Sequence, residues 1–187
     1  MSTGLLALVG LACFMVHEFE EIAFIRPWLA MTEGWADARD MWSTRRWAYP
    51  SSEAIALMIA EQFVLVALIL AVAVAVGWPE LIIGAFIVHG LHLFVHMADA
   101  VRVRRWSPGS VTAAATLPLV ASMIGWFVAG KSIDPGWVAA STVIVAAIIF
   151  PNLIMLHHLA ARLDRFISSA YRRRDIALSR AQPPISL

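Results

Sequence analysis

The chain has 187 residues, 60% of them hydrophobic and 14% charged, with a mean hydropathy of +0.76 and a net charge of +1. Soluble domains carry about 25% charged residues, so this composition excludes a soluble enzyme and leaves room for one bundle of membrane spans. The single cysteine, Cys13, excludes an intrachain disulfide and a CxxC metal or redox motif.

A helix that crosses the hydrocarbon needs about 20 mostly apolar residues. The first such run, 4–25, ends at Arg26-Pro27. It has no basic leader and it holds His17, Glu20 and Glu21, so it reads as a retained span and not as a signal peptide. Cys13, inside this run, reads as a small packing residue. Segment 27–50 repeats Trp28, Trp35 and Trp42 every seven residues, with Glu33, Asp37, Arg39 and Asp40 between them. That spacing predicts an interfacial helix with its indoles at headgroup depth. A lid over a buried site is the sharper reading of this segment, and an ordinary aromatic belt is the plainer one.

The second and third spans, 54–77 and 80–101, flank a tight turn at Gly77-Trp78-Pro79-Glu80. The fourth, 110–130, follows Arg104-Arg105-Trp106-Ser107-Pro108-Gly109. It offers only Thr112, Thr116 and Ser122 as polar groups, which predicts a packing helix. The fifth, 137–161, follows Lys131–Gly136 and is expected to kink at Pro151, beside Asn152. Residues 176–187 are expected to form a flexible tail, and Tyr171-Arg172-Arg173-Arg174 before it suits anionic lipid. One short basic cluster does not make a nucleic-acid interface. The apolar runs are continuous and do not alternate, which argues against a β-barrel. The expected fold is an all-α integral membrane protein, a five-helix transmembrane bundle forming a single domain over 1–175.

Basic residues set the expected orientation. Segment 26–50 carries Arg26, Arg39, Arg45 and Arg46, and segment 102–109 carries Arg102, Arg104 and Arg105. The tail carries Arg162, Arg165, Arg172, Arg173, Arg174 and Arg180, whereas the other connections hold only Lys131. With five spans these three segments share one side, and the positive-inside rule makes that side cytoplasmic, with the N-terminus outside.

All six histidines, His17, His89, His92, His96, His157 and His158, lie in the apolar runs. Glu20, Glu21, Glu61 and Asp99 lie in or at the ends of the same runs. Ionisable groups in hydrocarbon cost roughly 2.5–3.5 kcal/mol each on insertion scales. At 1.5 Å of rise per residue, all of the histidines but His89 fall roughly 5–14 Å from the cytoplasmic surface. Helical spacing agrees with this layer. His17 and Glu21 are i,i+4, Glu20 is i,i+3 from His17, and Glu18 faces elsewhere. His89, His92, His96 and Asp99 form one stripe. His157 and His158 are about 100° apart, so one of the two is expected to face the layer.

Imidazole and carboxylate together are the ligand set of zinc, iron or manganese. A lone intramembrane histidine is more often interhelical glue, but a layer drawn from four helices is not explained that way. The expected ligands are His17, Glu20, Glu21, Glu61, His89, His92, His96, His157 and His158, with Asp99 and Asn152 as outer partners. Glu20 and Glu21 are the expected catalytic groups. So many ligands suit two divalent ions held in a bundle core.

His17-Glu18-Phe19-Glu20-Glu21 reads H-x-x-E-E and His92-Leu93-Phe94-Val95-His96 reads H-x-x-x-H. With Asn152 and His157-His158 near the last span, the chain resembles the HXXEE family of small bacterial membrane proteins along essentially its whole length. The resemblance implies that His17, Glu20 and Glu21 matter and implies a multi-pass protein of the bacterial plasma membrane. It supplies no reaction. Glu20-Glu21 followed by Arg26 is also similar to the E-E-x-x-x-R motif of CAAX-type intramembrane proteases, with one residue too many before the arginine.

Two readings of the function stand first. One is a dinuclear iron enzyme oxidising a hydrophobic or lipid-like substrate among membrane lipids. The other is a zinc-dependent hydrolase of a lipid or membrane peptide, with metal-activated water and Glu20 or Glu21 as general base. A metal or proton carrier is disfavoured, since almost nothing polar leads outward, and a haem protein is disfavoured by the glutamates.

Overall fold

The computed structural model describes residues 2–32, 51–130 and 132–181, with side chains up to 172. The described residues form five helices: α1 (Thr3–Thr32), α2 (Ser52–Val76), α3 (Pro79–Val103), α4 (Ser110–Ala129) and α5 (Pro135–Ala181). No strand occurs among them. The last four helices are long and apolar enough to cross a membrane. The expected lid, with Trp35 and Trp42, lies outside the described residues.

Local sequence explains most of the boundaries. Ser51 caps α2 by accepting from the Ala54 amide, and Gly77 ends it at φ 69°, a left-handed conformation that suits glycine. Pro79 opens α3, where its missing N–H costs nothing. Asp134 caps α5 by accepting from the amides of Gly136 and Trp137.

Two helices outrun their expected ends. α1 continues through Arg26-Pro27 to Thr32. A proline inside a helix removes one backbone bond, and tertiary contacts hold the turn beyond it. Ile22, Ile25 and Leu29 pack on Ile55 and Ile59 of α2, and the Trp28 indole donates to the Trp106 carbonyl at 3.1 Å. α5 has 47 residues, about 70 Å of helix, twice what a bilayer core requires. It passes Pro151 and runs into the residues expected to be a tail. Beyond the apolar stretch, Asp164 accepts from the Ser51 amide at 3.0 Å and ties α5 to the start of α2.

α3 is the central element and touches all four other helices. The apolar core gathers at one end of the bundle, from Leu6 and Cys13 of α1, Leu70 and Ala73 of α2, Ile82 and Phe86 of α3, and Phe127 of α4. Cys13 is therefore a core residue, as its apolar surroundings suggest. Small residues permit close approach there: a Cβ on Gly10 would lie 1.7 Å from the Phe86 ring, and one on Gly84 2.8 Å from the α5 backbone at Ser141. The opposite end, where α1 ends and α4 begins, holds most of the buried polar groups.

Candidate metal centre

At that polar end α1 and α3 face each other. His17 and Glu21 are i,i+4 on α1, and His92 and His96 are i,i+4 on α3, so each helix presents one pair to the other. One ligand atom from each of the four residues lies within 4.8 Å of all the others. His17 Nε2 is 3.1 Å from His92 Nε2, and His96 Nε2 is 3.0 Å from Glu21 Oε1. A tetrahedral ion with bonds of about 2.0–2.1 Å holds neighbouring ligand atoms about 3.3 Å apart. The group is close to that size before any adjustment and can hold a metal ion.

The far ring nitrogens show that this closeness is organised. His96 Nδ1 lies 3.2 Å from the Pro108 carbonyl, which can only accept, so Nδ1 carries a hydrogen and Nε2 is the ring nitrogen that faces the group. The Thr112 hydroxyl donates to Glu20 Oε2 at 2.6 Å, and its oxygen accepts from His17 Nδ1 at 3.1 Å. His17 Nε2 is thereby left with a lone pair facing inward. Fixing a ligand's tautomer through its second nitrogen is the usual outer support of a bound metal.

Glu20 stands apart from the group, contrary to its expected role as ligand and base. Its carboxylate accepts from the Thr112 amide at 2.8 Å and from the Val111 amide at 3.4 Å. It also accepts from the Trp106 indole at 3.2 Å. These amides belong to the first turn of α4, whose own N-cap, Gly109, has no side chain to offer. Glu20 therefore caps α4 from another helix and satisfies orphan donors where the helix dipole favours a negative charge. Glu20 and Glu21 are one residue apart and so about 100° apart around α1, which lets one serve α4 and the other the histidines.

The connection between α3 and α4 closes the centre. Arg104 turns the chain at φ 51° and Gly109 at φ 84°. A Cβ on Gly109 would lie 2.8 Å from His96 Nδ1 and 2.9 Å from His17 Cε1. Both the positive φ and the close approach require glycine there. Thr112, Pro108 and Gly109 frame the group although the sequence reading gave them no part in it, and α4 is more than a packing helix. The Pro108-Gly109 dipeptide was the available signal.

Glu18 also departs from expectation. It is buried, and its Oε1 lies 4.0 Å from His92 Nε2, beside the group rather than away from it. His89 is nearby, with ring centroids 6.0 Å from His17 and 6.3 Å from His92, and its Nε2 is buried without a hydrogen-bond partner. Asp99 is fully buried about one turn beyond His96.

The structure does not bring the remaining expected ligands to the group. Glu61 is exposed on α2 and accepts from Asn152 Nδ2 of α5 at 2.8 Å; the same amide donates to Gln62 Oε1 at 3.0 Å. Glu61 and Asn152 thus form a second polar cluster with Gln62. His157 Nδ1 donates to the Leu153 carbonyl one turn back on its own helix, at 2.8 Å. His158, next to it, is exposed. Depth along the sequence does not fix the rotation of α2 and α5 about their axes. Among the described residues the group that forms is a four-residue set, where ligands for two ions were expected.

A cavity of about 370 Å³ adjoins the group. Glu21, His92 and His96 line one part of its wall together with Glu18 and His89, Gln62 and His157 line it from α2 and α5, and the remaining lining is apolar.

The model of a family described as "Protein of unknown function with HXXEE motif" matches residues 8–123. The chain belongs to the HXXEE family. No curated protein and no solved structure matches it. The three named positions of the HXXEE motif now have separate places: His17 and Glu21 in the group, and Glu20 on the helix that orients His17. All four group residues, with Gly109 and Thr112, fall inside the matched stretch, whereas Asn152, His157 and His158 fall outside it.

Proposed function

We propose that this HXXEE protein is an integral membrane metalloenzyme, with one divalent ion held by His17, Glu21, His92 and His96 and a hydrophobic substrate in the adjoining cavity. The observation that carries the reading is the convergence of four ligand atoms within 4.8 Å, with the outer nitrogens of His17 and His96 already committed to Thr112 and Pro108. α1 is the fifth span in this reading. Its polar side chains His17, Glu18 and Glu20 are buried, and Leu5, Leu8, Val16, Phe19 and Phe24 are on its exposed face. The arginine-bearing connections support a reading with the N-terminus outside and the metal centre toward the cytoplasm, in a bacterial plasma membrane.

Zinc-dependent hydrolysis of a lipid-like molecule or membrane peptide is the favoured chemistry. Bound zinc would supply Lewis acidity and, if its coordination expands beyond the four protein ligands, an activated water. Glu18 is the residue placed to accept the proton of that water, since it lines the cavity next to His92 but lies outside the ligand set. The expectation of a dinuclear iron oxidase rested on a surplus of ligands, and only four of them converge.

Elemental analysis of protein purified in lipid nanodiscs tests this reading. About one zinc per chain, lost in Glu21→Gln and kept in Glu18→Gln, is the expected result. Iron in place of zinc would move the reaction to oxidation, and folded protein that binds no metal would overturn the centre.

A further inference from the structure

The cavity beside the group has an apolar part and a polar part, with further apolar lining from Ile25, Ile55 and Ile59 past the polar one. On α1 its lining changes along the helix from Gly10 and Phe14 to Glu18 and Glu21. On α3 it changes from Ala85 and Phe86 to His92 and His96. The apolar part leads into the packed core of the bundle, and the polar part is the candidate centre. At about 370 Å³ the space falls within the range of cavities that enclose a small organic ligand, roughly 300–1,000 Å³.

His89 stands where the two parts meet. It lines the cavity, and its Nε2 is shielded from solvent with no hydrogen-bond partner. A polar atom left so in an apolar setting costs about 1–3 kcal/mol, and its neighbours Phe14 and His17 approach it as ring faces and edges. A group delivered by a ligand lying in the cavity would satisfy it.

We infer that His89 is the anchor for the polar head of a single-chain amphiphile, whose apolar chain lies toward Ala85 and whose head rests between His89 and the metal centre. A hydroxyl is the head that fits best. Imidazole Nε2 donates or accepts according to its tautomer, and a hydroxyl can answer either. A charged head would be desolvated in this wall, whereas an alkane would leave Nε2 unpaired. His89 then selects which hydrophobic molecules enter, separately from the residues that hold metal. The inference rests on the proposed substrate cavity, but its test does not need turnover.

The experiment uses the full chain, labelled with ¹⁵N-histidine, in lipid nanodiscs with 1-decanol or decane as the probe. One imidazole nitrogen signal, absent from His89→Phe, is expected to move with decanol and stay still with decane. Decanol affinity is expected to fall about fivefold to tenfold in His89→Phe, the loss of one hydrogen bond, and to recover in His89→Gln. Ala85→Leu, which narrows the apolar end, is expected to weaken decanol while sparing 1-hexanol. Equal responses to decanol and decane, or a moving signal that persists in His89→Phe, would overturn the assignment. Metal content measured on the same samples separates the two claims. Metal-loaded protein whose His89 signal ignores decanol overturns the anchor alone, and metal-free protein whose signal still moves overturns the metal centre alone.

Discussion

The two ends of this bundle are built from the same helices and by opposite rules. At one end Leu6, Ile82, Ile83 and Phe127 are fully or almost fully buried, and close approach comes from glycines at 10 and 84. At the other end His17 and Asp99 are buried just as deeply, and Glu18, Glu20 and His96 are buried too. An apolar end needs only complementary shape, because each contact is weak and replaceable. A polar end is tolerated only when its members satisfy one another, because each unpaired group costs more than a paired one returns. The hydrogen bonds run in that sense: Glu20 holds Thr112, Thr112 holds His17, Pro108 holds His96, and the inner nitrogens are left facing one another. Function should therefore fail at one end without loss of fold, and fold should weaken at the other without change in function.

The largest effect is expected from His17→Ala. It removes a proposed ligand whose helix is anchored elsewhere by Leu6, Ala7 and Trp28. Metal affinity should fall by more than about 100-fold, beyond the 10–100-fold that losing an outer partner costs, while the helical circular dichroism stays unchanged. Retained metal in this variant would remove His17 from the centre. Gly109→Ala comes next. Its new methyl meets both the His17 and His96 rings, and its φ of 84° disfavours any side chain. Metal affinity should drop on the order of 100-fold with some loss of thermal stability, read by metal titration and by melting in detergent.

Thr112→Val should be milder, about tenfold, because His17 keeps its place but loses the group that orients its ring. Recovery in Thr112→Ser would assign the effect to the hydroxyl, whereas loss in both variants would assign it to packing. At the apolar end the expectation inverts. Ile82→Ala empties a fully buried site and should cost about 2–5 kcal/mol of stability, with metal stoichiometry unchanged. A metal defect there would mean that the two ends are coupled through α3 and would erase the contrast.

Much of this was legible in the chain. Composition and run lengths predict five helices, and Gly77, Pro79 and Asp134 mark their ends. The i,i+4 spacings of His17 with Glu21 and of His92 with His96 predict the two pairs that meet. What sequence could not convey has a physical reason in each case. Pro108 acts through a carbonyl, and Gly109 acts through the absence of a side chain, so neither has a chemical signature of its own. Glu20 and Glu21 are equivalent in type and depth, and only the position of α4 separates them. Pro27 reads as a helix end because its local cost is visible, whereas the contacts of Ile25 and Trp28 that outweigh it are tertiary.

Glu61 gives the smallest expected effect and the sharpest limit on the comparison. It shares the depth of the centre and the chemistry of a ligand, yet it is exposed on α2 and bonded to Asn152. Depth along a helix follows from residue number, whereas rotation about the axis follows from packing, and α2 turns Gln62 inward in its place. Glu61→Gln keeps a carbonyl oxygen for the Asn152 amide and removes a charge that is costly in hydrocarbon. Metal affinity should stay within about twofold, since no group residue touches it, and stability should hold or rise slightly. A loss of metal in this variant would mean that the polar end extends across the cavity to α2, and that the four-residue group is one part of a larger centre.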